Sequence, residues 1–444
     1  MATFYKPGRQ ILVKPKGAEP AEPARKAAVN AASTTLADLA SRRLWFLESE
    51  SLCRRARGRT GLEDFGDPPI ERALSILATS LEQEADLHPL GRFLMRGHLL
   101  EILETRLRLA RAWHGQLDAL AASPIQRPVF ITGMPRSGST FLHELLAQDQ
   151  DNRSPKAWEV MFPLPAPEAE QGNRDPRVRK TAARLWWFRR LAPRADSVYP
   201  LRACTPHECV AIHSYTLLSE EFVSTCRIPT YESFLRSVGL GPAYEWQKGF
   251  LQHLQTRGPV RQWVLKSPDH LCALEELFSV FPDAVIIHTH RNPLEVLKSS
   301  IQLTEVLHGL FARPDDPDQL RAHETRALAE RLNRSIQFRD RHPDLAGRFL
   351  DLHYTELVSD PMAAVRRIYQ HLDRPLTDQA IQRMRQLIST HSRYRRRHNP
   401  SLADLGLDAR AETNRFNRYC LRFGIACRQP EPGWNRPWTD PARP

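Results

Sequence analysis

The chain has 444 residues, enough for about three average domains or one enlarged α/β domain. Hydrophobic residues make up 41% and charged residues 26%, which excludes wholesale disorder, and no apolar run approaches the ~18 residues of a membrane-spanning helix. The net charge is +12, with 54 Arg and only nine Lys, a field that favours anionic ligands without selecting one.

The N-terminus, MATFYKPGRQILVKPKG, lacks the apolar stretch of a secretory signal, so a cytoplasmic location is expected. Residues 1–35, rich in Ala, Pro and basic residues, read as a flexible basic arm. From 36 to 123 the pattern is helical. LADLASRRLWFLESESLCRRA spaces apolar residues three or four apart, the loop TGLEDFGDPP puts Pro69 at a helix start, and two longer amphipathic stretches cover 70–85 and 91–121.

Over 124–375 short apolar runs alternate with helical segments. RPVFITG precedes STFLHELLAQ, VRQWVLKS precedes HLCALEELFSVF, AVIIHTH precedes PLEVLKSSIQLTEVL, and RFLDLHY precedes PMAAVRRIYQHL. This alternation predicts a three-layer α/β sandwich with a central parallel sheet. Residues 165–200, Pro- and Arg-rich around ARLWWFRRLA, read as an insertion, and 376–444 as an irregular C-terminal extension packing on the core. Seven scattered Cys, at 53, 204, 209, 226, 272, 420 and 427, form no paired framework.

The most informative segment is Gly133-Met-Pro-Arg136-Ser137-Gly138-Ser139-Thr140. Between a strand and a helix, backbone N–H groups and the helix dipole make an anion site. The spacing matches the phosphate-loop pattern except that Ser139 stands at the Lys position, and Arg136 supplies a cation instead. The third strand candidate ends in His-Thr-His-Arg291, where a phosphate-loop NTPase places its Mg²⁺-binding acid; Asp283 lies at the other end. A phosphate-like group without Lys or metal ligand points to anion transfer without a metal.

Together, GMPRSGST (133–140), RSPKAWE (153–159), LKSPDH (265–270), HRNPLEVLKSS (290–300) and YTELVSDP (354–361), in that order, resemble the sulfotransferase superfamily, in the bacterial and tyrosylprotein-sulfotransferase-like branch. The resemblance covers about residues 127–375, and the helical N-terminal segment with TGLEDFGD also looks like this branch. It implies a P-loop-NTPase-like sulfotransferase fold. It also implies transfer of a sulfuryl group from 3′-phosphoadenosine 5′-phosphosulfate (PAPS) to an acceptor hydroxyl, with no metal and no nucleic-acid partner. By the same resemblance Arg136, Ser137, Gly138, Ser139 and Thr140 contact the 5′-phosphosulfate, and Arg291 with Ser299 holds the 3′-phosphate. Lys266 sits near the bridging oxygen of the donor.

The acceptor must lose a proton, and two bases compete. Glu159 follows Arg136 at a distance comparable to the catalytic Glu of the tyrosylprotein branch. His270 follows Lys266 by four, whereas the cytosolic enzymes place a His two after the Lys, where this chain has Pro268. His207 and Glu208 are acceptor-pocket candidates by resemblance, and the mixed segment 202–209 matches no closed zinc pattern. The basic run 393–397 is expected to be a solvated loop or a flap over the adenosine. The rivals are a Mg²⁺-dependent kinase-like phosphotransferase and a non-catalytic nucleotide-binding relative.

Overall fold

The computed structural model describes residues 40, 44–165, 174–191, 201–256, 258, 261–391 and 401–427. The basic arm 1–35 and the basic run 393–397 lie outside these residues. The described residues from Leu47 onward form one compact unit.

Five strands form one wholly parallel sheet: β1 (Val129–Gly133), β2 (Asn152–Arg153), β3 (Gln262–Lys266), β4 (Val285–His290) and β5 (Phe349–His353), in the order β2-β3-β1-β4-β5. Phe130 pairs with Leu265 on one side and Ile286 on the other, which fixes the central register. β1 and β4 are buried along their whole length, as a parallel sheet covered on both faces requires.

The pleat sorts these strands into two cores. Phe130, Leu265 and Ile286 face a large cluster shared with Leu74, Leu99, Leu103, Tyr231, Tyr244 and Phe250. Val129, Ile131, Val264, Ile287 and Leu350 face the opposite cluster, with Leu142, Leu145, Val365 and Met384. The three-layer expectation holds, and the N-terminal helices (Ser49–Thr60, Glu71–Gln83, Pro89–His114) belong to the first layer. Fully buried Arg106 fastens that layer: its guanidinium donates to the carbonyls of Phe65 at 2.8 Å, Tyr215 at 2.7 Å, Gly66 at 3.0 Å and Pro68, and lies 4.2 Å over the Trp246 ring.

Several local expectations need correction. The stretch 91–121 is not one helix but two, Pro89–His114 and Leu117–Ala121, divided at Gly115. Among its described residues the C-terminal extension is not irregular: it carries the helices Asp378–His391 and Ala409–Arg422, and Phe416, Tyr419 and Phe423 pack with Leu297, Ile301 and Leu332 in a third core. HLCALEELFSVF breaks at Ala273 into a 3₁₀ turn, Pro268–Cys272, and a helix, Leu274–Val280.

Because β3 and β4 flank β1, chain connections diverge there, and the C-terminal end of β1 is a topological switch point where ligands gather in such sheets.

Candidate active site

The switch point is occupied by the glycine loop. Gly133 has φ +153°, and a Cβ there would lie 2.2 Å from Thr289 Oγ1 and 2.4 Å from the Thr289 carbonyl. Only glycine lets the loop leave β1 this close to β4. Arg136 (φ +65°) and Gly138 (φ +90°) then turn the chain into the Ser139–Leu146 helix. Its first-turn N–H groups have no intrahelical acceptor, so the loop ends on donors and the positive end of a dipole.

Ser137 is a brace. Its side chain is buried, with Oγ and main-chain N–H both donating to the Met134 carbonyl, at 2.6 and 3.2 Å. Oγ also lies 2.6 Å from Thr289 Oγ1, whose hydroxyl donates to Thr132 O at 3.1 Å. Thr289, which ties β4 to the loop, is a supporting residue that sequence reasoning missed; it lay unremarked inside HTH. Ser139 is buried at the helix start, and the Thr140 and Arg136 side chains are exposed.

The second expected donor motif meets this loop. Arg291, just past β4, donates from Nη1 to the Arg136 carbonyl at 2.6 Å, and Arg136 Nε donates to Ser299 Oγ at 3.2 Å. Ser299 is there because Asn292 caps the Pro293–His308 helix, accepting from Leu294 N–H at 2.9 Å. The Arg291 guanidinium lies 4.3 Å from the Tyr354 ring centroid, and a Cβ on Gly138 would stand 3.1 Å from that ring. Tyr354, visible in the sequence only as part of a motif, is thus the floor beneath loop and arginine.

Lys266 ends β3 beside Ile131 and is 3% exposed. The backbone here is held at two successive carbonyls: Cys209 N–H donates to Lys266 O at 2.9 Å, and Thr132 Oγ1 to Ser267 O at 2.9 Å. Its ammonium donates to Glu208 Oε1. The segment that brings Glu208 runs beside the Ala157–Met161 helix, with Ala157 N–H donating to Thr205 O at 3.0 Å and His207 N–H to Pro155 O at 2.7 Å.

The two expected bases are engaged elsewhere. Glu159 is buried: Oε2 accepts from Lys156 N–H at 2.8 Å, capping its own helix, and Oε1 accepts from Arg153 Nη2 at 3.2 Å. His270 is wholly buried, with Nδ1 2.7 Å from the Tyr244 hydroxyl and its ring edge-on to Phe130 at 5.0 Å. Burial, reinforced by His213 and Lys266, holds its pKa well below the ordinary value, so it is neutral. Burial and then Lys266 likewise lower His143 to about 3.

The segment 202–209 gathers no metal-ligand group among the described residues. The group that brings three potential ligand atoms within 4.8 Å is His288, His290 and Asp351. His290 Nε2 meets Asp351 Oδ1 at 2.8 Å, and Arg339 donates to both Asp351 oxygens at 2.6 and 2.9 Å, whereas buried His288 has its Nδ1 3.9 Å from Asp351 Oδ1 and no hydrogen bond on either ring nitrogen. Burial lowers the pKa of both His288 and His290, so this end of β4 is histidine-rich while its positive charge lies on Arg291 and Arg339.

Chemically, the arrangement offers an anion cradle, two guanidinium groups at one end, and a buried ammonium on the adjoining strand paired with the half-buried Glu208 carboxylate. Comparison with known proteins agrees with that reading. The sequence model described as the sulfotransferase family matches residues 128–378. The omega-hydroxy-beta-dihydromenaquinone-9 sulfotransferases Stf3 of Mycobacterium bovis and Mycobacterium tuberculosis are each 27% identical over 329 residues, covering 70% of this chain and 78% of theirs. Among solved structures, sulfotransferase STF9 from Mycobacterium avium superposes with a TM-score of 0.78 at 27% identity, covering 86% of this chain and 97% of its own. STF1 from Mycobacterium tuberculosis H37Rv does so with 0.73 at 29%, covering 83% and 97%.

Proposed function

The chain belongs to the sulfotransferase family, and from that premise we propose that it transfers the sulfuryl group of PAPS to a hydroxyl by in-line displacement without a metal. The bond from sulfur to the bridging phosphate oxygen breaks, a bond from sulfur to the acceptor oxygen forms, and adenosine 3′,5′-bisphosphate leaves. The loop N–H groups and Arg136 face the 5′ end; Arg291 and Ser299 grip the 3′-phosphate. Lys266 stabilises charge building on the bridging oxygen, the main lever in a loose transition state.

The observation that carries this reading is the convergence of Arg291, Arg136 and Ser299 on one another from a strand end, a loop and a helix. For the base, the geometry favours Glu208 over Glu159 and His270. Glu208 is the carboxylate in contact with Lys266; when Lys266 turns to the donor, Glu208 is released to take the hydroxyl proton.

The Stf3 relatives are named for an omega-hydroxylated menaquinone, and we carry the class to this chain: an alcohol on an apolar, lipid-like tail. The deciding experiment is calorimetry with adenosine 3′,5′-bisphosphate and with ATP, each with and without Mg²⁺. Metal-independent binding of the bisphosphate, lost in Arg291→Ala, supports the reading. Preferential Mg²⁺-dependent ATP binding overturns it in favour of a kinase-like enzyme.

A further inference from the structure

The helix Pro176–Leu191 holds six cations, Arg177, Arg179, Lys180, Arg184, Arg189 and Arg190, and no acid. One side of it is fastened to the protein. Thr181 and Leu185 are buried, Arg177 pairs with Asp175 at 2.5 Å and lies 4.8 Å from the Trp158 ring centroid, and Arg184 pairs with Glu101. The other side opens to solvent with Arg179, Ala183, Trp186, Trp187 and Arg190. Trp186 is 48% and Trp187 62% exposed, with their rings edge to face at 4.9 Å and the Arg190 guanidinium 5.2 Å over Trp186. Among the described residues, Arg179, Lys180 and Arg190 make no ion pair.

Leaving two tryptophans in water is unfavourable, and a row of unneutralised cations repels itself. One surroundings relieves both. At the headgroup level of an anionic bilayer, indole rings sit half in hydrocarbon while Lys and Arg heads reach the phosphates. An acidic protein groove would answer the charge but leave the paired indoles needing their own pocket.

We propose that this helix seats the protein on an anionic membrane surface, where a lipid-borne alcohol is found. The inference rests on the proposed lipid acceptor for its purpose and on the helix for its chemistry. The helix is also near the reaction by a short chain of contacts. It packs on Ala157–Met161, whose Trp158 N–H donates to Ala203 O at 3.1 Å, and the strand of backbone from there leads to Glu208 and Lys266.

The test is flotation of the full chain with phosphatidylcholine vesicles, with and without phosphatidylglycerol, at low and high salt. The expected result is binding that needs phosphatidylglycerol, is released by salt, and falls at least ~10-fold in both Trp186→Ser/Trp187→Ser and Arg179→Glu/Arg190→Glu. Each variant should keep wild-type affinity for adenosine 3′,5′-bisphosphate, which reports an intact fold. Failure of the wild type to float with phosphatidylglycerol overturns the proposal, as do variants that float equally well. So does a wild-type dimer dissolved by the Trp variant, which would assign the face to a second copy. A wild type that floats yet binds no bisphosphate sinks the proposed activity and leaves this inference standing.

Discussion

Arg291 donates to the main-chain carbonyl of Arg136 at 2.6 Å, across 155 positions of sequence. One guanidinium thus braces the glycine loop, with the Tyr354 ring 4.3 Å from it as backing.

Arg291→Ala is therefore expected to weaken bisphosphate binding by about 2–3 kcal/mol, roughly 30–150-fold, because a charge-assisted bond and a loop brace go together. Arg291→Lys should fall between, since an ammonium cannot bond the carbonyl and a phosphate in a fixed fork. Calorimetry on the two variants reads this out; equal affinity for Lys and Arg would contradict it.

Two glycines should respond oppositely to the same change. Gly133→Ala forces a Cβ into Thr289 at a backbone angle side chains avoid, and a loss of about 2–4 kcal/mol is expected. Gly97 lies inside the Pro89–His114 helix with nothing within 4 Å of an added Cβ. There Ala should stabilise by about 0.5–1 kcal/mol. Denaturant melts of the pair check both signs.

Turnover should separate the carboxylates. Glu208→Gln is expected to lower kcat by about 10²–10⁴-fold, read from initial rates at saturating donor. Glu159→Gln leaves Arg153 without its carboxylate, so stability falls by about 1–3 kcal/mol while kcat changes less than ~10-fold. The reverse ranking would move the base back to Glu159.

Stability should fall on acidification in a defined window. Burial holds His213 at about 4 and His143 at about 3, so both are neutral when folded at neutral pH, whereas the unfolded chain takes up their protons near pH 6.5. Above that pH neither contributes a slope. Between about 6.5 and 4 the unfolded state binds more protons, and stability drops by about 1.4 kcal/mol per pH unit for each histidine. His213→Gln should flatten the melting-temperature curve in that window; an unchanged slope would contradict the assignment.

Much of the scaffold is readable from residue order because parallel strands buried on both faces leave continuous apolar runs such as VFIT and AVII. The glycine loop is readable for the same local reason: its spacing is a backbone requirement. What escapes is set by distance or dilution. The Lys266–Glu208 contact joins residues 58 apart, and no local pattern encodes it. β2 has two residues, too few to show alternation. The Ala409–Arg422 helix does carry an inward stripe, Phe416, Tyr419 and Cys420, but Arg and Asn surround it and mask the period. Glu159 has the right residue type near the loop, and only the structure reveals that both of its oxygens are spent on Arg153 and Lys156.

The buried guanidinium of Arg106 bears on how the molecule comes apart. By gathering carbonyls from the 65–68 turn and from Tyr215, it welds the amino-terminal helices to a segment more than a hundred residues downstream. Those helices are a wall of the interior, not an appendage. A fragment cut at residue 124 would lay Tyr231, Tyr244 and Phe250 open to water, so the amino-terminal helices cannot be pared away to leave a working minimum.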